Sequence, residues 1–502
     1  MVTLEWEARK KGFAMKRVWS VAMFVLVGCG AAHADTLVFT NAAGTGRWGD
    51  AGNWSQPRVP GLGDDVEIPA GLAPCLVDTP SQARSILAGS PVYFDAPIEL
   101  AAESVFDSEV RIVAGVQGFG ELRFNSVVHW RGGEMGGGGL TVVGETGVLR
   151  VEPEGQPTLA RVMEVFGAIE VSSQVLRIDR PSGLVRIPDG GVMRLLDGGS
   201  VLADETADES MVISGSLECS GAGSCQVAAL FLNVGRVTAS CPLIVAPAPS
   251  NLSVFGDLFF GVWETNQLGS ISWPAEQPVT AIEAGAVLRL SGEGSSPTLY
   301  GNLRRIDGEL LVEGATPTVV VRAGASNLTT VSGRVRVTGG SRISFGTGFR
   351  CTTAARFELE PSLDQPPITA LNSVFPAALL SGLLEIVPPS VPPSGCGEYL
   401  PLITSAGTFD PMEGDFIGTQ TPQVTLEQPY VYTPVRLVGD VYENIAVLTS
   451  SPADWTRDGG VDGDDTIAFF ADWDVGLADL TGDGSSDGDD IIAYFARWDA
   501  GC

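Results

Sequence analysis

One repeated motif limits what most of this chain can become: a glycine followed by apolar residues at alternate positions. Gly120-Glu-Leu-Arg-Phe124, Gly147-Val-Leu-Arg-Val151, Gly167-Ala-Ile-Glu-Val171, Gly285-Ala-Val-Leu-Arg-Leu290, Gly308-Glu-Leu-Leu-Val312 and Gly333-Arg-Val-Arg-Val337 all carry it. An apolar period of two marks a strand with one buried face, and the leading glycine marks a turn. Such starts recur 19 to 25 residues apart, at 120 and 139, 147 and 167, 215 and 235, and 285, 308 and 333. That is a period of β-solenoid coils, each of which buries its apolar face by stacking on its neighbour. The expected fold class for residues 35–449 is therefore all-β, a parallel β-helix or solenoid. About a dozen coils or more, at ~4.8 Å each, would make a rod. A chain of β-sandwich domains is the competing architecture. The uniform glycine entry favours the solenoid.

Two stretches interrupt the pattern. Leu379 to Ile386 is apolar enough for a buried strand or a short helix, and Pro388 to Cys396 reads as a stiff linker or surface loop. Ser450-Ser-Pro-Ala453 then separates a last segment of different character, so a domain boundary is placed at 449/450.

At the other end, Lys16 and Arg17 precede an apolar run from Val18 to Val27, and Ala32-His33-Ala34 supplies small residues at a signal-peptidase site. Residues 1–34 read as an upstream segment plus signal peptide, with Met15 the natural first residue, cleavage after Ala34 and a secreted or cell-surface product. Leu26-Val27-Gly28-Cys29 resembles a lipobox, and lipidation of Cys29 would be the one route to a membrane. Cleavage after Ala34 removes five basic and two acidic residues and moves the formal charge from −30 to about −33. Charge of that sign repels nucleic acid and anionic lipid and attracts divalent cations. Seven cysteines remain, enough for three disulfides in an oxidising compartment. Cys219 and Cys225, across a Ser-Gly-Ala-Gly-Ser turn, are the expected pair, and Cys502 the odd one out.

The mature chain opens with Trp48 and Trp54 inside Arg47-Trp-Gly-Asp-Ala-Gly-Asn-Trp-Ser55, followed by Val59-Pro60-Gly61 and Asp64-Asp-Val-Glu-Ile68. This resembles the N-terminal cap of exported β-helical repeat proteins of the autotransporter-passenger type, and Trp130-Arg-Gly-Gly133 resembles their first coils. A cap over about residues 35–70 gives the two tryptophans a structural use, since a terminal coil must cover its own core.

The C-terminal segment is a repeat. Residues 454–474 read DWTRDGGVDGDDTIAFFADWD and residues 479–499 read DLTGDGSSDGDDIIAYFARWD, an offset of 25. Each copy places Asp at loop positions 1, 5, 9 and 12, Thr at 3 and Gly at 6. A twelve-residue loop of oxygen donors at these positions, with a carbonyl at 7 and glycine at the sharp turn, is the EF-hand solution for calcium. The expected ligands are Asp454, Thr456, Asp458, the Gly460 carbonyl, Asp462 and Asp465 for one ion. For the second they are Asp479, Thr481, Asp483, the Ser485 carbonyl, Asp487 and Asp490. A short helix follows each loop, with Ile467, Phe470 and Ala471, and Ile492, Phe495 and Ala496, expected to pack the two together. With four or more carboxylates per loop repelling one another, folding should be coupled to two Ca2+ ions.

Two loop-helix units without entering helices resemble type I dockerin domains. Together with the export signal and the closing Gly501-Cys502, they resemble the GC-type dockerin domain-anchored proteins. The resemblance covers about fifty residues and implies docking onto a cohesin-like or other surface protein. Thr at position 3 and Gly-Asp at positions 10 and 11 depart from the family's usual residues.

Little points to catalysis. The mature chain has one histidine, His129, and no Gly-x-Ser-x-Gly to partner it. Asp64-Asp65 and the cluster Asp204, Glu205, Asp208 and Glu209 are the only obvious paired carboxylates in the β region. No catalytic residue is assigned, and the leading expectation is a non-catalytic β-rod with a calcium-dependent docking module. A secreted polysaccharide hydrolase or lyase, or a carbohydrate-binding adhesin, on the same module is the alternative.

Overall fold

The computed structural model describes residues 35–502 apart from 153, 180–181, 204–208, 254, 256, 267–268, 274–278, 293–302, 315–318, 322–327, 347, 361–365, 371–377, 388–398, 406–411, 415–417, 421–429, 434–443, 450–452, 457–460, 482–483 and 501–502. Residues 1–34, where a signal peptide is expected, the proline-rich stretch at 388–396, Asp204, Glu205 and Asp208 thus lie outside the described residues.

Alternating apolar residues force one face of each short strand inward, and the chain buries those faces by coiling. A sixteen-stranded sheet runs from Cys75–Val77 to Gly418–Gln420 and takes one strand from each successive coil. Two ten-stranded sheets form the other faces at first, and a seven-stranded and a six-stranded sheet take their place further along. Neighbouring strands pair in parallel, Val148–Val151 with Ala168–Ser172 for example. Antiparallel pairing of named strands enters only where Asn444–Thr449 lies between Tyr399–Ser405 and Tyr430–Thr433. This is a parallel β-solenoid and not a series of sandwiches. At ~4.8 Å per strand the sixteen rise roughly 70 Å. The undecided stretch at 379–386 forms strands, Ala378–Leu380 in the seven-stranded sheet and Leu383–Ile386 in the sixteen-stranded one.

Register places like on like. Val77, Phe94, Ile112, Trp130, Val151, Val171, Leu195 and Cys219 stack as one inner column of the large sheet, and each is buried. A side chain of that size contributes roughly 1.5–3 kcal/mol when fully withdrawn from water. The glycine entries are set by the same stacking. A Cβ on Gly167 would sit 2.2 Å from the Gly147 carbonyl oxygen, and one on Gly333 would sit 2.0 Å from that of Gly308. The first coil is closed by Trp48 and Trp54, packed edge-on at 4.9 Å, with the Trp54 indole N–H donating to the Trp48 carbonyl at 2.8 Å. Both rings are buried and so have no face to offer a sugar.

Outward positions of the same sheet carry charge in register. Arg150, Glu170, Arg194 and Glu218 follow one another on successive coils, with Arg194 bridging Glu170 at 3.3 Å and Glu218 at 3.2 Å. His129 joins this system by pairing with Glu152, which also takes the Arg131 guanidinium at 2.9 Å. The most enclosed acid among these ion pairs is Glu358, met by Arg334 at 2.6 Å, Arg356 at 3.0 Å and Arg336 at 3.7 Å. Burial works to raise its carboxyl, but Arg334 above all, with Arg356 and Arg336, holds it below the ordinary glutamate value. An acid with a depressed folded pKa stabilises the fold above its unfolded value and loses that contribution as pH falls through the folded one. Glu358→Gln is therefore expected to cost about 1–2 kcal/mol at neutral pH. That is less than the ~3–5 kcal/mol of a fully buried pair, because the arginines are partly solvated. Urea unfolding from pH 7 to pH 3 should show wild type and variant converging on the acid side. A constant gap would remove Glu358 as the titrating group.

Candidate metal centre

In the C-terminal segment each copy of the repeat builds the same cradle. The helices are α1 (Gly463–Asp474) and α2 (Gly488–Ala500). Asp462 caps α1 by accepting from the Asp464 amide at 2.8 Å, and Asp487 caps α2 by accepting from the Asp489 amide at 2.9 Å. An acidic N-cap meets unpaired helical N–H groups and the positive end of the helix dipole at once.

The position-12 acids tie loop to helix. One oxygen of Asp465 accepts from the Thr456 amide at 2.7 Å and the Thr456 hydroxyl at 2.8 Å, and the other accepts from the Asp462 amide at 2.9 Å. One oxygen of Asp490 accepts from the amides of Leu480 at 2.7 Å and Thr481 at 2.8 Å, and the other from the Asp487 amide at 2.8 Å. Both carboxylates are buried. Burial works to raise Asp465, and the amides of Asp462 and Thr456 outweigh it. The amide of Asp487 leads the set that lowers Asp490. Both acids are therefore held below the ordinary aspartate value.

Loop positions 3, 9 and 12 are thus drawn together twice. At position 1, Asp479 accepts from the Gly484 amide at 2.7 Å, which the left-handed φ of +92° at Gly484 permits. Ser485 donates its hydroxyl to Asp487 at 3.1 Å, and Asp454 is buried at the head of the first loop. Asp458, Gly460 and Asp483 lie outside the described residues. Among the described residues no three carboxylates bring their oxygens into one tight group; the three sulfurs of Cys219, Cys225 and Cys241 do. The donors of each loop are nevertheless all oxygen, two of them helix-capping acids, a set that fits a hard cation such as Ca2+.

The face on which α1 and α2 meet is the expected one only in part: Phe470 and Phe495 approach across it at 6.3 Å, but its centre is a different pair. Phe469 and Tyr494, 25 residues apart and equivalent in the repeat, stack at 4.1 Å with planes 11° apart, and Trp455 stands edge-on to Phe469. Ile467 and Ile492 are 70% and 69% exposed. The reason is helical geometry: the loop turns Asp465 inward, Phe469 four residues on shares its face, and Ile467 two residues on points away. Asp490, Tyr494 and Ile492 repeat the relation.

The other sequence candidates are occupied by structural contacts. Asp64 accepts from the Arg58 guanidinium at 2.5 and 2.6 Å and from the Gly61 amide at 2.8 Å, while Asp65 pairs with Arg84 and Ser85. A cleft of about 620 Å³ over the first coils is lined by Val59, Pro60, Pro80, Gln82, Glu99 and Gln117 among others, with Glu99 its only acid. Among the described residues no helix is long and apolar enough to cross a membrane.

The expected Cys219–Cys225 pair is replaced by a Cys219–Cys241 disulfide, with Cys75, Cys225 and Cys351 buried as thiols. Coil stacking places Ala239 over Cys219 and so brings Cys241, two residues further on, within bonding reach of it, whereas Cys225 has already turned the corner onto the next sheet. No family model matches this chain, and no curated protein or solved structure is significantly similar to it.

Proposed function

We propose that this chain is an exported or cell-surface, non-catalytic β-rod that is docked or anchored through a calcium-dependent, dockerin-like module at residues 450–502. The observation that carries this reading is the duplicated cradle, in which Asp465 and Asp490 each gather positions 3 and 9 of their own loop through matching hydrogen bonds. Asp454, Thr456, Asp458, the Gly460 carbonyl, Asp462 and Asp465 would hold one Ca2+, and Asp479, Thr481, Asp483, the Ser485 carbonyl, Asp487 and Asp490 the other. When bound, the ions supply the positive charge that lets crowded carboxylates coexist, so the module folds around them and presents its surface only in calcium. Its partner is a cohesin-like or other surface docking protein.

Calorimetry with calcium on residues 35–502 and on a chain ending at Thr449 tests this. The longer chain is expected to take up two more ions than the shorter, with a gain of helical circular dichroism. Equal uptake by the two would sink the reading.

A further inference from the structure

Cys219 is the last inward residue of a strand of the sixteen-stranded sheet, Ser216–Ser220, and Cys225 begins the next strand, Cys225–Ala228, after the Ser220–Ser224 corner. That corner turns through Gly221 and Gly223, with φ of +93° and +91°. On the following coil, Ala239 lies directly over Cys219 and Leu243 over Cys225. Ala239 is small, and the shorter corner that follows it sends Cys241 into the space left between the two columns. Cys241 is disulfide-bonded to Cys219, with Cα atoms 6.1 Å apart, and its sulfur lies 3.5 Å from the Cys225 sulfur. All three are at most 3% exposed.

We propose that Cys241 is a shared disulfide partner whose bond passes between Cys219 and Cys225 by intramolecular thiol–disulfide exchange. The Cys225 thiolate attacks the Cys241 sulfur; the Cys225–Cys241 bond forms as the Cys219–Cys241 bond breaks. Cys219 leaves as a thiolate and takes up the proton that Cys225 gave. One disulfide and one thiol stand on each side, so the step consumes no oxidant or reductant. Both isomers staple the same two coils, closing sequence separations of 22 and 16 residues. The trio also corrects itself. Cys219 and Cys225 are the pair closest in sequence and the quickest to meet in an open chain. Attack by Cys241 on that bond converts it into an inter-coil staple. Burial raises the Cys225 thiol, so the exchange belongs to the coil while it is still opening and closing, and the packed coil holds the outcome.

The test uses residues 35–502 refolded in a glutathione redox buffer, which makes it independent of where the protein resides. Disulfides are mapped by non-reducing peptide mass spectrometry after alkylation. Wild type is expected to show Cys219–Cys241 with Cys225 alkylated. Cys219→Ser should lose alkylation at both Cys225 and Cys241 and yield their cross-linked peptide, while Cys225→Ser keeps Cys219–Cys241. A folded Cys219→Ser protein with both remaining thiols alkylated overturns the proposal. Should that variant not fold, wild type equilibrated over a series of glutathione ratios must contain Cys225–Cys241 as a minor species, and its absence at every ratio overturns it equally. Three free thiols retaining a thiophilic metal ion would do the same.

Discussion

Asp465→Ala combined with Asp490→Ala is expected to abolish the helical signal of the C-terminal module and to reduce its calcium uptake from two ions to none, with the β-solenoid intact. Each carboxylate joins the start of its loop to the first turn of its helix. Truncation strands the amides of Thr456 and Asp462 in one copy, and those of Leu480, Thr481 and Asp487 in the other. Buried donors without partners are costly, and helices of 12 and 13 residues are marginal without tertiary support. It also removes the acid that closes each loop of oxygen donors. The control is Ile467→Ala with Ile492→Ala, which alters two exposed side chains on the opposite faces of the same helices and should leave helix and stoichiometry unchanged. Far-ultraviolet circular dichroism and calorimetry on residues 35–502 separate the two cases. If the aspartate variant kept both ions, the position-12 acids would have to be struck from the ligand set.

Much of the solenoid was legible because its punctuation has a steric cause. The intervals 147 to 167, 215 to 235 and 285 to 308 to 333 each link neighbouring strands of the sixteen-stranded sheet, and 120 to 139 links neighbours of another. Glycine marks these starts because a carbonyl of the preceding coil occupies the place of a Cβ. The spacing of loop positions in the C-terminal repeat was equally plain. What escaped were relations between coils and between faces. Proximity in sequence suggested Cys219 with Cys225, but in a solenoid the nearest neighbour in space is one coil away. Apolar periodicity put Phe470 and Phe495 at the helix contact, where they do approach, but put Ile467 and Ile492 there with them. It could not show that a buried carboxylate, rather than an apolar residue, sets the inward face of each helix.

Arg161 was invisible to that kind of reading, and its replacement is expected to be among the most damaging single changes in the rod. Its side chain is 1% exposed, at the corner between Thr158–Leu159 and Val162–Val165. The guanidinium donates to the carbonyls of Gly139 at 3.1 Å, Gly136 at 3.3 Å, Leu140 at 3.0 Å and Gly120, and so binds the corners of three successive coils. Gly139 makes room for it: a Cβ there would lie 2.2 Å from a guanidinium nitrogen. Burial pushes the Arg161 pKa down to about 10, which still leaves it charged at neutral pH. Arg161→Met fills most of the volume but leaves four carbonyls without this donor. Each could cost ~1–3 kcal/mol, offset in part because a buried charge is also removed, so a net loss of about 3 kcal/mol is expected. Arg161→Lys should be at least as harmful, since a compact ammonium keeps the buried charge and cannot span the carbonyls that a planar fork reaches. Because a solenoid can open locally, the readout is amide hydrogen exchange over residues 115–165 compared with coils near residue 310. Faster exchange confined to the first region is the expected result. Wild-type protection in the lysine variant would mean that the corner needs only a positive charge there, and the fork geometry would lose its role.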